Sequence, residues 1–197
     1  MKETLNYLIS AINLGVLLRY CWLIYFRKIT PSLAMWVFFF IAVVLSMTTY
    51  LARDNYSWTD NILNATDLFL TGTVSAFIIL FGKKESLFNK FDFGCLVSVI
   101  LVVFFWMFSK EHFISNIATQ VILIIAYVPV VKRMIVSKEN SESFTIWIAM
   151  FMAPFISIFC SEGILATIYL FRAMFCTGLL LSIMLWIKII NKKVPIK

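Results

Sequence analysis

Two ionisable side chains lie inside long apolar stretches of this sequence. Asp67 is about seven residues into the stretch that ends at Phe81, and Arg172 is about nine residues into the one that ends near Ile190. A charge at the centre of a membrane helix costs about 2.5–3.5 kcal/mol, so it is tolerated where it faces protein or water. We expect the two residues to line a polar cavity, where they could pair. The alternative for each is a charged end that reaches water at the interface.

Other polar residues in these stretches have two interpretations each. A buried ion pair needs additional hydrogen-bonding partners, and the same two stretches offer Asn64, Thr66, Thr71, Tyr169 and Thr177. Asn116 and Gln120 are four residues apart and so share one helix face. There they contact either a ligand or a neighbouring helix. Arg19 either reaches the near interface or lines the cavity.

The apolar stretches themselves indicate a membrane protein. Of 197 residues, 62% are hydrophobic and 14% are charged, against about 25% charged in soluble domains. A membrane helix needs about 20 apolar residues, and seven such stretches can be drawn. Their approximate bounds are residues 5–26, 31–52, 61–81, 93–109, 113–131, 144–160 and 164–190. Little sequence remains for a soluble domain.

Local signals set several of these bounds. Thr30 is predicted to cap the second helix, with Pro31 at its first position. Gly82 is predicted to end the third helix. Pro129 should bend the fifth helix because it removes a backbone hydrogen bond. The four cysteines lack metal-binding spacing and are interpreted as packing residues.

An internal repeat relates the two ends of the chain. Residues 69–72 (FLTG) return as 175–178 (FCTG), an offset of 106, and residues 32–36 (SLAMW) return as 143–147 (SFTIW), an offset of 111. The fourth apolar stretch has no counterpart. The repeat predicts two parallel three-helix bundles, residues 1–84 and 112–197, joined by a linker helix in residues 85–111. Gly72 and Gly178 are predicted to allow close helix packing. Trp36 and Trp147 are expected mainly to anchor their helices at the interface, with a gating role as the alternative.

The positions of Lys and Arg predict the orientation. Three of them fall at one end of the predicted helices: Lys2, Arg53 and Lys110. Twelve fall at the other: Arg27, Lys28, Lys83, Lys84, Lys90, Lys132, Arg133, Lys138, Lys188, Lys192, Lys193 and Lys197. Because positive charge marks the cytoplasmic side, the N-terminus is predicted outside and the C-terminus in the cytoplasm. The same bias explains the net charge of +7 without nucleic acid.

This layout resembles that of the SWEET and PQ-loop transporter superfamily. The resemblance rests on the three-plus-one-plus-three order, the outside N-terminus, residues 127–130 (YVPV) at the end of the fifth helix, and Ser-x-x-x-Trp at the start of the second and sixth. It implies transport by alternating access between the two bundles. Sugar-transporting members resemble one another in an asparagine on the third helix of each repeat, which implies a role for Asn64.

We therefore expect a membrane transporter for a small polar solute such as a sugar, an amino acid or a vitamin-like molecule. The candidate substrate-binding residues are Asn64, Asp67, Thr71, Gln120, Arg172 and Thr177. The alternative is a non-transporting seven-helix receptor or assembly factor of the same fold. No enzyme motif, cofactor signature or metal cluster is apparent in the sequence, and a homo-oligomer in the bilayer is compatible with it.

Overall fold

The computed structural model describes residues 2–53, 55–83, 88, 90–108 and 112–193. Regular structure in these ranges is helical. The helices are α1 (Lys2–Tyr25), α2 (Leu33–Arg53), α3 (Ile62–Phe81), α4 (Lys90–Phe108), α5 (His112–Ile125), α6 (Tyr127–Ser137), α7 (Phe144–Ser157) and α8 (Ile164–Lys193), and a 3₁₀ turn (Trp58–Asn61) leads into α3. The boundaries predicted near residues 84 and 111, and the tail beyond 193, lie outside the described residues.

Five helical segments are long and apolar enough to cross a membrane. They are Lys2–Tyr25, Leu33–Arg53, Trp58–Phe81, Phe113–Ser137 and Ile164–Asn191. The segment Phe144–Ser157 is also apolar but shorter. Length and composition therefore make this an all-α, multi-pass membrane protein.

Helices α2 and α7 begin in the same way, each with a serine carbonyl that accepts the first helical hydrogen bond. The backbone N–H of Trp36 donates to the carbonyl of Ser32 at 3.3 Å, and that of Trp147 donates to the carbonyl of Ser143 at 3.2 Å. The prediction that Thr30 caps α2 is wrong. Thr30 is held in the preceding loop, because its N–H bonds the carbonyl of Ser141 and its own carbonyl accepts a hydrogen bond from Arg133.

Pro129 and Gly82 interrupt or end their helices, as the sequence predicted. The fifth span is broken at Ala126, between α5 and α6, three residues before Pro129. Because Pro129 has no N–H, the carbonyl of Ile125 loses its usual helical donor. The helix then continues to Ser137, beyond the predicted end at residue 131, and Lys138 ends it with a left-handed φ of 54°. Gly82 follows the last residue of α3 as predicted.

The packing pattern brings the two ends of the chain together. Helix α1 packs against α3 and α7, and α2 packs against α3 and α5. Helix α7 packs against α8, which also contacts α5 and α6. Helix α4 packs mainly against α5. A continuous apolar core runs through these contacts and includes Trp36, Trp147 and Tyr169.

The repeat is visible at the level of single contacts. A Cβ atom added to Gly72 would lie 3.0 Å from Cε2 of Phe40, and one added to Gly178 would lie 3.1 Å from Cε2 of Phe151. The two glycines are related by the offset of 106, and the two phenylalanines by the offset of 111. Each glycine thus lets one aromatic ring rest on its helix backbone, as the packing prediction required.

Candidate functional site

A small cavity lies where the two ends of the chain meet. Its volume is about 30 Å³, and α1, α2, α3, α5, α6, α7 and α8 all contribute to its wall. Residues related by the repeat offsets face it in pairs: Phe39 with Met150, Leu63 with Tyr169, Asp67 with Ala173, and Thr71 with Thr177. About 10–15 Å³ is enough for one water molecule. In this conformation the cavity therefore has room for about one or two water molecules and is too small for a larger solute.

Asp67 is the acidic residue in the cavity wall. Its Oδ2 accepts a hydrogen bond from the Tyr169 hydroxyl at 2.6 Å, and its Oδ1 accepts one from Asn13 Nδ2 at 3.0 Å. The same Asn13 amide also donates to the hydroxyl of Thr66 at 2.7 Å. Each carboxylate oxygen thus has one donor, and a carboxylate has about four acceptor positions in all. Asp67 retains capacity to accept hydrogen bonds from a solute or water.

Arg172 is the basic residue in the cavity wall. Its Nε donates to Gln120 Oε1 at 3.3 Å, and its guanidinium carbon lies 4.5 Å from the centre of the Tyr169 ring. Its Nη2 is buried without a hydrogen-bond partner. A buried donor that lacks an acceptor is costly. Arg172 therefore offers a positive group that an acceptor in the cavity would satisfy.

Asp67 and Arg172 do not form the direct ion pair that the sequence suggested. The salt bridges among the described residues do not include this pair. Instead, Tyr169 lies between the two, with its hydroxyl on the carboxylate and its ring under the guanidinium. The aromatic ring separates the charges while it contacts both.

Two of the predicted site residues lie behind the cavity wall. Asn64 is fully buried and donates to the Ser46 hydroxyl at 3.0 Å. Gln120 donates to Asn116 Oδ1 at 3.1 Å, which confirms that these two residues share one helix face. Asn116 in turn binds the backbone of Ser46 on α2. This cluster joins α2, α3 and α5, and Gln120 connects it to Arg172.

The other four predicted residues, Asp67, Thr71, Arg172 and Thr177, all contribute to the wall. The hydroxyls of Thr71 and Thr177 donate hydrogen bonds to backbone carbonyls one turn earlier in their own helices. The candidate substrate-binding residues did not include Asn13 and Tyr169, although both contact Asp67 directly. Tyr169 was expected only as a hydrogen-bonding partner for the charged pair, and its bond to Asp67 confirms that part.

One end of the bundle, here called the N-terminal layer, is closed by charged groups. The Lys2 ammonium at the start of α1 bonds both Asp60 and Glu162. The N–H of Glu162 donates to the carbonyl of Asp60 at 2.8 Å, and the Tyr50 hydroxyl donates to the carbonyl of Glu162. Lys2 is eleven residues before Asn13, which is about 16 Å along a helix. These contacts join α1, the start of α3 and the start of α8.

The opposite end, here called the tryptophan layer, is closed by buried aromatic rings. Trp36 and Trp147 are fully buried, with ring centres 6.5 Å apart. Interface anchoring by these residues is therefore a wrong prediction, because neither indole reaches the membrane surface. The Trp36 indole donates to the Tyr20 hydroxyl at 3.1 Å. Tyr20 is seven residues after Asn13, about 10 Å along α1.

A buried glutamate completes the tryptophan layer. Glu142 Oε2 accepts hydrogen bonds from the Tyr20 hydroxyl at 2.6 Å and from the Trp147 indole at 3.2 Å. Its Oε1 is buried without a partner. Burial raises the pKa of Glu142 to about 6, against the opposing effect of its hydrogen bonds and the positive charge of Arg133. A single carboxylate thus joins α1 to α7.

Arg19 lies outside the cavity. It is exposed, and its guanidinium carbon lies 4.6 Å from the centre of the Trp22 ring. The Lys28 ammonium lies 4.2 Å from the same ring centre. Of the two interpretations of Arg19, the structure supports a side chain that runs along the outer surface.

Comparisons of the chain with protein-family models, with curated proteins and with solved structures find no match.

Proposed function

We propose that this protein transports a small polar solute by alternating access between two three-helix bundles. The bundles would be α1–α3 and α5–α8, with α5 and α6 as one broken helix and α4 as the linker. In this arrangement α1 corresponds to the broken helix α5–α6, and α2 corresponds to α7. The contacts between the bundles support it, because the α1–α7 contact is then equivalent to the α2–α5 contact. Helix α4 contributes no described residue to the cavity wall.

The observation that carries the proposal is the cavity on the repeat axis. It combines the free acceptor capacity of Asp67, the unsatisfied Nη2 of Arg172 and paired residues from both copies. A solute with a hydrogen-bond acceptor would satisfy Arg172, and one with a donor would bind Asp67. Such complementarity suits a sugar, an amino acid or a vitamin-like molecule. The proposed arrangement resembles that of the SWEET and PQ-loop superfamily, which we propose as its structural relatives.

Closure at both ends fits a transporter in an occluded conformation. The cavity lies between the Lys2 contacts of the N-terminal layer and the Glu142 contacts of the tryptophan layer. Opening one end would break contacts between the bundles there while the other end keeps its own. Alternate opening of the two ends would carry a solute across the membrane.

The proposal is tested by uptake into proteoliposomes with a panel of radiolabelled sugars, amino acids and nucleosides. We expect saturable uptake of at least one solute. The variant Arg172→Gln should reduce that uptake at least tenfold, because it removes the positive group in the cavity. Arg19→Gln is the matched control, and its uptake should stay within twofold of the original protein.

The alternative function is a non-transporting receptor or assembly factor of the same fold. Its best support is the very small volume of the cavity, about 30 Å³. Absence of saturable flux for every solute in the panel, with folded protein in the vesicles, would favour this alternative over transport.

A further inference from the structure

A second, larger cavity opens on the side of the helical bundle. Its volume is about 510 Å³, within the range of about 300–1,000 Å³ typical of ligand sites. We call it the lateral groove. Its wall is apolar and is formed by α4, α5, α6 and α8, with Phe91, Val128, Val131 and Leu179 as representative side chains. In a membrane protein such a groove faces lipid, so hydrocarbon rather than water fills it.

The polar part of the groove is concentrated at one point. Lys132 lies in its wall, with the ammonium 3.3 Å from the centre of the Phe91 ring. An adjoining cavity of about 270 Å³ shares Phe91 and Lys132 and adds Arg133 and Ser137. Neither wall includes an Asp or Glu among the described residues. Arg133 is already bonded to the carbonyl of Thr30, so Lys132 is the basic group that the groove offers. An apolar groove with an ammonium at its end is complementary to a hydrocarbon chain that carries a negative group.

The groove also adjoins the central cavity. Tyr127 belongs to the wall of both. On its inner side the Tyr127 ring packs 5.0 Å from the ring of Phe39 and 5.9 Å from that of Trp147. A chain in the groove would therefore contact the side chain that separates lipid from the candidate binding cavity.

We infer that the lateral groove binds one acyl chain of an anionic phospholipid, whose phosphate contacts Lys132. Helices on both sides of the break between α5 and α6 contribute to the apolar wall. Lys132 lies on α6, six residues after the break at Ala126. The inference does not rest on the proposed transport, because the groove and Lys132 are described without reference to a solute in the central cavity.

The first test measures the unfolding temperature of the purified protein in detergent during titration with phosphatidylglycerol or phosphatidylcholine of the same acyl chains. We expect phosphatidylglycerol to stabilise the protein at lower concentration. Lys132→Gln should raise its half-maximal concentration about fivefold, as expected for loss of one lysine near an anionic lipid. Lys188→Gln is the matched control, since Lys188 also lies over a ring, Phe144, but outside the groove.

The second test fills the groove. Leu179→Trp places a large ring in its wall, and Leu185→Trp places the same ring on an exposed part of α8 outside it. Phosphatidylglycerol should no longer stabilise the first variant and should stabilise the second as it does the original protein. Equal responses of the two tryptophan variants, or a Lys132→Gln protein with the same half-maximal phosphatidylglycerol concentration as the original protein, would overturn the inference. If Leu179→Trp does not fold, the Lys132 comparison decides alone.

Discussion

Tyr169 determines how the two charged residues of the cavity interact. Its hydroxyl donates to Asp67, and its ring lies under the Arg172 guanidinium. Tyr169 therefore connects the two charged groups, which form no direct salt bridge. It is also related by the repeat to Leu63, an apolar residue in the same wall. Both residues thus occupy equivalent positions in the wall, but only the tyrosine has a hydroxyl that can bond Asp67.

A double-mutant cycle with Asp67→Asn and Arg172→Gln measures this coupling. Each single change should lower the free energy of unfolding, because it leaves a partner incompletely satisfied. The double variant should lose less than the sum, with a coupling of about 1 kcal/mol or more. In a Tyr169→Phe background the coupling should fall by at least half. Strictly additive losses in both backgrounds would show that the two charges act separately. Chemical unfolding in detergent is the measurement.

Glu142 predicts a pH dependence of stability. Its pKa is about 6 in the folded protein, above the ordinary value of 4.5, because it is buried. Between these values the folded state binds more protons than the unfolded state, so stability should fall as pH rises through the window. A pKa rise from 4.5 to about 6 corresponds to about 2 kcal/mol of stability. Glu142→Gln should make this slope shallower between pH 4.5 and 6 in unfolding measurements.

Glu139→Gln is the control for Glu142, because Glu139 lies in the same loop but is exposed. It should keep the slope of the original protein. An unchanged slope in Glu142→Gln would mean that another titratable group is responsible for the pH dependence.

The two glycine contacts test the packing of the helices. A methyl group at Gly72 or Gly178 would press on the ring of Phe40 or Phe151 at about 3 Å. Gly72→Ala and Gly178→Ala should therefore lower stability by about 1–3 kcal/mol. Gly15 and Gly94 are controls, since a Cβ there meets no atom within 4 Å. Alanine at those sites should be neutral or stabilising by up to about 1 kcal/mol.

A second substitution separates steric overlap from other effects. Phe40→Leu should recover part of the stability lost in Gly72→Ala, because it removes the ring that the methyl group contacts. Thermal unfolding of the single and double variants gives the comparison. If stability is not recovered, the stability lost in Gly72→Ala arises within α3 rather than from its contact with α2.

The helices were predictable to different degrees. The end of α3 at Gly82 and the break before Pro129 follow from the backbone properties of these residues. The start of α2 was not predictable from Thr30 and Pro31, because a long-range contact with Arg133 holds Thr30 in the loop. The burial of Trp36 likewise depends on its packing against Trp147 from the other end of the chain. Local sequence contains no direct signal for such contacts.

The site was predictable in residue type more than in detailed contacts. Charge inside apolar helices indicated Asp67 and Arg172, and both lie in the cavity wall. The polarity of a residue did not show whether it lines the cavity. Asn64 is polar but lies behind the cavity wall, where it donates to the Ser46 hydroxyl. The repeat offsets carry more of this information, because several pairs of residues related by the offsets of 106 and 111 face the same cavity.

The topology of the whole molecule can be tested with fused reporters. Reporters after Arg53 and after Gly82 should lie on opposite sides of the membrane, with the second in the cytoplasm, because positive residues mark that side. A reporter after Lys138 should match the one after Gly82. The same side for Arg53 and Gly82 would contradict the proposed orientation and the parallel bundles.

Alternating access is the central proposal for the molecule, and thiol labelling tests it without knowledge of the solute. Thr71→Cys and Thr177→Cys place thiols in the cavity wall, in a background where the four native cysteines are replaced. Phe69→Cys, on the exposed face of α3, is the control. A membrane-impermeant thiol reagent is applied to oriented proteoliposomes from the outside or from the lumen. We predict that both cavity thiols react from either side while the control does not. Reaction from one side only would contradict alternating access and support a receptor.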